Sequence, residues 1–234
     1  MSTRLLMAFL GALLLGSMSP VANAQAPTEN VLYAFQGGAD GSRPPGGVIF
    51  DAAGNLYGTT SGGENAESTV FELSPAVGGG WTESVLHTFG SGNDGREPTG
   101  GLVFDAAGSL YGATSSGGTS GYGTVFELSP AVGGGWTESV LYNFFDPTHG
   151  CQPRGAVVLD SKGNLYGSTV AGGAHSGGTV FKLTRGANGT WNETTLHSFG
   201  AGDIPTATWS STHPAIFMEP PLKAAFTGSV SFLS

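Results

Sequence analysis

The sequence predicts an all-β protein built of tandem four-stranded blades, as in a β-propeller. One stretch recurs along the chain at an interval of about 55 residues, and each copy divides into four short strand patterns separated by turn residues. No window carries a convincing helical period. A β-solenoid is the alternative architecture, although its coils usually have shorter repeats.

The repeat consists of two blocks. The string TVFELSPAVGGGWTESVL occupies residues 69–86 and again 124–141, and a diverged copy, TVFKLTRGANGTWNETTL, occupies 179–196. The other block reads GGVIFDAAGNLYGTT, GGLVFDAAGSLYGAT and GAVVLDSKGNLYGST in its three successive copies. We therefore divide the chain into the following segments: signal peptide 1–24, N-terminal strand and linker 25–45, repeats 46–99, 100–154 and 155–202, and a non-repeat tail 203–234.

In the first repeat, strands are predicted at residues 48–50, 56–60, 69–73 and 81–89. The first turn begins at Asp51, whose carboxylate can accept hydrogen bonds from the amides of the turn. Glycine-rich loops separate the later strands, because glycine adopts positive φ without a steric clash. Four strands joined in this way form one blade.

The first residues have the features of a secretory signal peptide. A basic residue, Arg4, precedes the apolar stretch 5–15, and Ala22-Asn23-Ala24 offers a cleavage site. The apolar stretch is too short for a membrane-spanning helix. We expect a secreted or cell-envelope protein, cleaved near Ala24, with no transmembrane segment.

Composition excludes several kinds of partner. Lys and Arg number 8 against 17 Asp and Glu, so the chain lacks the basic surface that nucleic acid or an anionic membrane requires. The single cysteine, Cys151, excludes an internal disulfide framework and a cysteine-based zinc site. No motif indicates a cofactor, and none is expected.

The chain starts out of phase with its own repeat. Residues 31–35 (VLYAF) match the end of the fourth strand of each repeat, so an isolated fourth strand precedes three complete units. Three blades fall below the usual minimum of four, and the tail 203–234 does not continue the pattern. We interpret the tail as truncated or frame-shifted. Oligomerisation, with three repeats from each of two chains, is the other way to complete a propeller.

The two recurring blocks closely resemble the GloVer repeat of choice-of-anchor tandem-repeat secreted proteins, over residues 31–200. This resemblance implies an exported, envelope-associated or released protein made of many copies. It implies no catalytic residue. The segment 51–57 (DAAGNLY) is also similar to the strand-turn-strand of NHL-type propellers, which supports the fold alone.

Three equivalent tryptophans are the candidate binding residues: Trp81, Trp136 and Trp191. If exposed on one rim they would stack on sugar rings, but one aromatic per repeat at a fixed position is more typical of packing between blades. The repeated Asp51, Asp105 and Asp160 could bind calcium, yet each turn offers few oxygen donors, which favours a turn cap and no metal site.

The mid-strand carboxylates Glu72 and Glu127 give way to Lys182 in the third repeat, which indicates a solvated strand face and not an acid–base pair. No catalytic residues are predicted. We expect a non-catalytic binding or structural module for a polysaccharide or an envelope component. A propeller-type lyase or glycoside hydrolase acting on extracellular polysaccharide is the alternative. The loop 145–150, with Cys151 and Arg154, reads as the one non-repeated insertion, where any unique feature is expected.

Overall fold

A computed structural model describes residues 29–62, 67–90 and 93–200 of the chain. The predicted signal peptide and the predicted non-repeat tail lie outside these residues. The described part contains thirteen strands and one short 3₁₀ turn at Pro147–His149. The strands are β1 Ile49–Phe50, β2 Leu56–Thr60, β3 Ser68–Pro75, β4 Trp81–Phe89, β5 Gly95–Pro98, β6 Val103–Phe104, β7 Leu110–Gly117, β8 Thr124–Pro130, β9 Trp136–Asn143, β10 Cys151–Leu159, β11 Leu165–Ala171, β12 Thr179–Arg185 and β13 Trp191–Ser198.

The strands form three antiparallel sheets, one for each repeat. Blade 1 has the order β1-β2-β3-β4 and blade 3 the order β10-β11-β12-β13. In blade 2 the innermost position is shared by β5 and β6, which both pair with β7, followed by β8 and β9. The all-β, propeller-like prediction is confirmed, although no sheet closes a ring among the described residues. Among the described residues every strand pairs within its own blade and not with a strand of a neighbouring blade, so the β-solenoid alternative is not the architecture formed. β5 and the first residues of β10 precede residues 100 and 155, and they pair with the blade that follows them.

The predicted bounds of the second and fourth strands, 56–60 and 81–89, coincide with β2 and β4. All residues of β2 are buried, because the strand packs against blade 2 on one side and against the N-terminal segment, through Tyr33 and Phe35, on the other. In β4 and β9, the outermost strands, half-buried and exposed residues largely alternate. Burial is therefore greatest in the two middle strands of each blade and smaller in the innermost and outermost strands.

Neighbouring blades are joined by one recurring pair of phenylalanines. Phe89, at the end of β4, packs edge-to-face on Phe126 of blade 2, with ring centroids 5.0 Å apart. Phe144 packs in the same way on Phe181 of blade 3, at 5.2 Å. Edge-to-face contacts add to the free energy gained by burying the rings. We call these contact layers seam 1/2 and seam 2/3.

The segment 31–35, predicted as an isolated fourth strand, is not a strand in the structure and has no strand partner among the described residues. In a complete blade the matching segment pairs with the third strand, as His87 does with Val70. The side chains nevertheless take the places that the repeat gives them, since Phe35 packs on Phe71 with ring centroids 4.9 Å apart. A strand needs backbone partners in a sheet, whereas this segment is held to blade 1 by its aromatic side chains.

At the inner edge the blades approach backbone to backbone. A Cβ atom placed on Gly46 would lie 2.8 Å from the carbonyl carbon of Gly100, and one on Gly100 would overlap the carbonyl group of Gly155. Only glycine permits this approach. Within the described residues no helix is long and apolar enough to cross a membrane.

Candidate binding groove

The three candidate tryptophans begin the outer strands of the blades, and all are half-buried. Trp136 lies against Tyr57 of the preceding blade, with ring centroids 6.3 Å apart. Trp191 packs against the apolar cluster that contains Tyr111. Trp81 packs against the cluster at the start of blade 1. Each ring therefore has one side in a core cluster, and only the remaining side is available to a ligand.

The partly open side of Trp191 belongs to a groove at seam 2/3. The groove has a volume of about 420 Å³. Blade 2 contributes Glu127, Ser139 and Leu141 to its wall, and blade 3 contributes Arg185, Thr190 and Trp191. The groove therefore combines an aromatic ring, a guanidinium group, a carboxylate and hydroxyl groups.

Two of these polar groups are found in the third repeat alone. The counterparts of Arg185 are Pro75 and Pro130. Thr190 takes the place that glycine has in the other two copies. Arg185 and Thr190 were missed by the sequence interpretation, which followed what the repeats share. The signal in the sequence is the departure of the third copy from the other two at these positions, and a position-by-position comparison of the copies would have found both residues.

Glu127 is held beside a buried tyrosine. The hydroxyl of Tyr111 donates to Asp105 at 3.1 Å and lies 3.2 Å from a carboxylate oxygen of Glu127. Burial, reinforced by these two negative charges, raises the pKa of Tyr111 far above its ordinary value, so the phenol stays protonated. In blade 3 the ammonium group of Lys182 lies over the ring of Tyr166, 5.5 Å from its centroid.

The repeated aspartates cap turns. One carboxylate oxygen of Asp51 accepts from the amides of Ala53 and Asn55, and the other accepts from the Asn55 side chain and from the Tyr57 hydroxyl. Burial acts to raise the pKa of Asp51, but these hydrogen bonds outweigh it and hold the pKa below its ordinary value. Asp160 has the same set of partners.

The carboxylate oxygens of Asp51 and Asp160 thus accept hydrogen bonds from protein donors, which agrees with the turn cap expected from the sequence. No group of three or more His, Cys, Asp or Glu side chains in the described ranges is placed to hold a metal ion.

The fold and its repeating contacts agree with the comparison to known families. A family model described as the Gloeobacter/Verrucomicrobia repeat matches residues 17–213. The chain belongs to this family. The resemblance to the GloVer repeat is thereby confirmed. Searches of curated proteins and of solved structures gave no match.

In this Gloeobacter/Verrucomicrobia repeat protein the interpretation of loop 145–150 as a non-repeated insertion is wrong. The linker from Phe144 to Gly155 has the same length as that from Phe89 to Gly100. This linker, the third copy, also shares a positive φ with the other two copies. The equivalent residues Arg43, Glu97 and Gln152 have φ between 53° and 56°. The residue types of the linker have changed, while its length and the positive φ at this position have not.

Proposed function

We propose that this protein is an exported, non-catalytic repeat module that binds an acidic extracellular polysaccharide in the groove at seam 2/3. The observation that carries the proposal is the pairing of Arg185 with Trp191 in one groove. Sugar rings stack on the apolar faces of aromatic side chains. A guanidinium group binds a carboxylate through two parallel hydrogen bonds. A uronic acid residue satisfies both groups together.

The distribution of charge favours the third repeat as the place for an acidic ligand. The net charge is −9, so most of the surface repels a polyanion. Arg185 is exposed and lies in the third repeat, where Lys182 also replaces a glutamate. The third repeat is thus less acidic than its copies.

The buried phenol favours binding over hydrolysis. Glu127 lines the groove, and the hydroxyl of Tyr111 lies between its carboxylate and that of Asp105. A glycosidase needs the space between its two carboxyl groups for the scissile bond. Here a protein side chain fills it.

Calorimetric titration with oligogalacturonate tests the proposal, with a neutral cello-oligosaccharide for comparison. Arg185→Pro gives the third repeat the residue of the other two repeats, so folding is retained, and we expect affinity for oligogalacturonate to fall about tenfold or more. Arg96→Ala removes the same charge from an exposed position outside the groove and is expected to leave affinity unchanged. Equal losses of affinity in both variants would mean that net charge alone explains the binding, and would contradict the proposed binding site in the groove.

Chromatography of the same mixtures tests the enzyme alternative. The products to look for are shortened or unsaturated oligosaccharides. If the parent chain forms them and the Tyr111→Phe variant does not, the protein is a lyase or hydrolase and the binding proposal is wrong. Export has its own test, because the mature protein recovered outside the cytoplasm is expected to begin at Gln25.

A further inference from the structure

Blade 1 has an apolar face that its copies bury. We define the leading face of a blade as the one turned toward the preceding blade. Val48 and Phe50 of blade 1 are 47% and 66% exposed. The residue equivalent to Val48 in blade 2, Leu102, is 4% exposed, because blade 1 covers it. The leading face of blade 1 therefore has the apolar side chains of a seam without a blade to cover them.

Blade 3 shows the complementary feature on its trailing face, the one turned away from blade 2. Tyr57 and Tyr111, on the trailing faces of blades 1 and 2, are 6% and 7% exposed. Their counterpart Tyr166 is only half-buried, and Leu196 of the outer strand is exposed. A following blade would cover both.

Seam 1/2 indicates how the two faces fit. Tyr57 on the trailing face packs edge-to-face on Phe104 of the leading face, with ring centroids 5.1 Å apart, and also contacts Trp136. The equivalent residue of Tyr57 on blade 3 is Tyr166. The equivalents of Phe104 and Trp136 on blade 1 are Phe50 and Trp81, so the two uncovered faces carry the same partners as an existing seam.

We propose that the leading face of blade 1 binds the trailing face of blade 3 from a second copy of this chain, so that two chains form a six-bladed ring. The contact is heterologous, and a heterologous contact either closes a ring or continues as a filament. Two reciprocal contacts of this kind remove both exposed faces. The three blades of the described residues lie below the usual size of a closed propeller, whereas six lie within it.

The N-terminal segment competes for the same place. Phe35 occupies on Phe71 the position that Phe89 occupies on Phe126. In the dimer Phe199, the third-repeat equivalent of Phe89, takes that position. Removal of the Phe35 ring is therefore expected to strengthen the dimer.

Sedimentation velocity over a range of concentrations measures the association of the full mature chain. Phe50→Ser is expected to raise the dimer dissociation constant about tenfold or more, because it removes apolar area that only the partner covers. Phe145→Ser removes a ring of similar exposure, 56%, from a linker and is expected to leave association unchanged. Phe35→Ala is expected to lower the dissociation constant.

Circular dichroism and thermal melts of each monomer separate association from folding. A parent chain that stays monomeric at all concentrations, a Phe50→Ser variant that associates like the parent, or a ladder of oligomers larger than a dimer would each overturn the six-bladed ring. A dimer weakened by Phe50→Ser and strengthened by Phe35→Ala would establish it.

Discussion

The two seams have the same apolar contacts but different polar ones. Seam 1/2 and seam 2/3 each contain a phenylalanine pair, at 5.0 and 5.2 Å, and a tryptophan packed into the apolar cluster of the seam. At seam 1/2 the imidazole of His87 lies 3.0 Å from the carboxylate of Asp94. At seam 2/3 the corresponding positions are Tyr142 and His149.

Each seam also buries a glutamate of the outer strand. At seam 1/2 burial, reinforced by the charge of Asp94 and opposed by His87, raises the pKa of Glu138. One of its carboxylate oxygens is buried without a hydrogen-bond partner. At seam 2/3 burial raises the pKa of Glu193, but the hydroxyl of Thr195 donates to it at 3.0 Å and His149 opposes the shift. Apolar packing thus defines a seam, while its polar groups vary within the same space.

Removal of a seam phenylalanine should have the largest effect. Phe126→Ala is expected to reduce the free energy of unfolding by about 3–5 kcal/mol, and Phe181→Ala by a similar amount, because both rings are fully buried at equivalent places. Chemical denaturation measures both. Unequal losses would show that the two seams do not pack alike.

The inner edge gives the next largest effect. Gly100→Ala should cost about 1–3 kcal/mol, since the new methyl group would overlap the backbone of Gly155. Gly101→Ala is the matched control, because its nearest neighbour would be 3.7 Å away and the third repeat already has Ala156 there. We expect the control to change stability by less than about 0.5 kcal/mol. Similar losses in both variants would contradict the close backbone approach.

The seam glutamates predict a pH dependence. A carboxyl group whose pKa is raised on folding supports the folded state below its unfolded pKa and loses that contribution as pH rises through the folded pKa. Glu138→Gln should therefore stabilise the protein at neutral pH, by no more than about 1 kcal/mol because the residue is partly exposed to solvent, and the gain should vanish toward pH about 4.

Glu193→Gln should gain less, because the substitution also weakens the contact with Thr195. Thermal melts of the two variants across this pH range measure the difference. A larger gain for Glu193→Gln would contradict the assignment of the unpaired oxygen to seam 1/2.

Addition of one hydroxyl group to seam 1/2, at the place where seam 2/3 has one, should have the smallest effect on the free energy of unfolding. The counterpart of Thr195 is Val140. Val140→Thr would provide Glu138 with the donor that Glu193 has, which should lower the pKa of Glu138 and add about 0.5 kcal/mol at neutral pH. Carbon-detected NMR titration of the Glu138 carboxyl group measures the pKa. An unchanged pKa would mean that the two outer strands differ in geometry.

The sequence predicted the strands better than the connections between repeats. β2 and β4 coincide with their predicted bounds because glycine-rich turns and strand-forming residues are local signals. The interpretation of loop 145–150 was wrong, because its residue types differ from those of the other copies while the length of the linker and the positive φ of Gln152 match them. The groove at Arg185 was not predicted, since it forms between two blades whose wall residues are far apart in the chain.

The sequence by itself determined the repeat, the four strands of each unit and the turn cap at Asp51, because each depends on residues that are near neighbours in the chain. Only the tertiary structure decided which side of each tryptophan is buried, which outer-strand glutamates have a buried oxygen without a partner and which apolar side chains of blade 1 stay exposed. These features depend on how one blade packs on the next, and contacts between blades join residues from separate repeats.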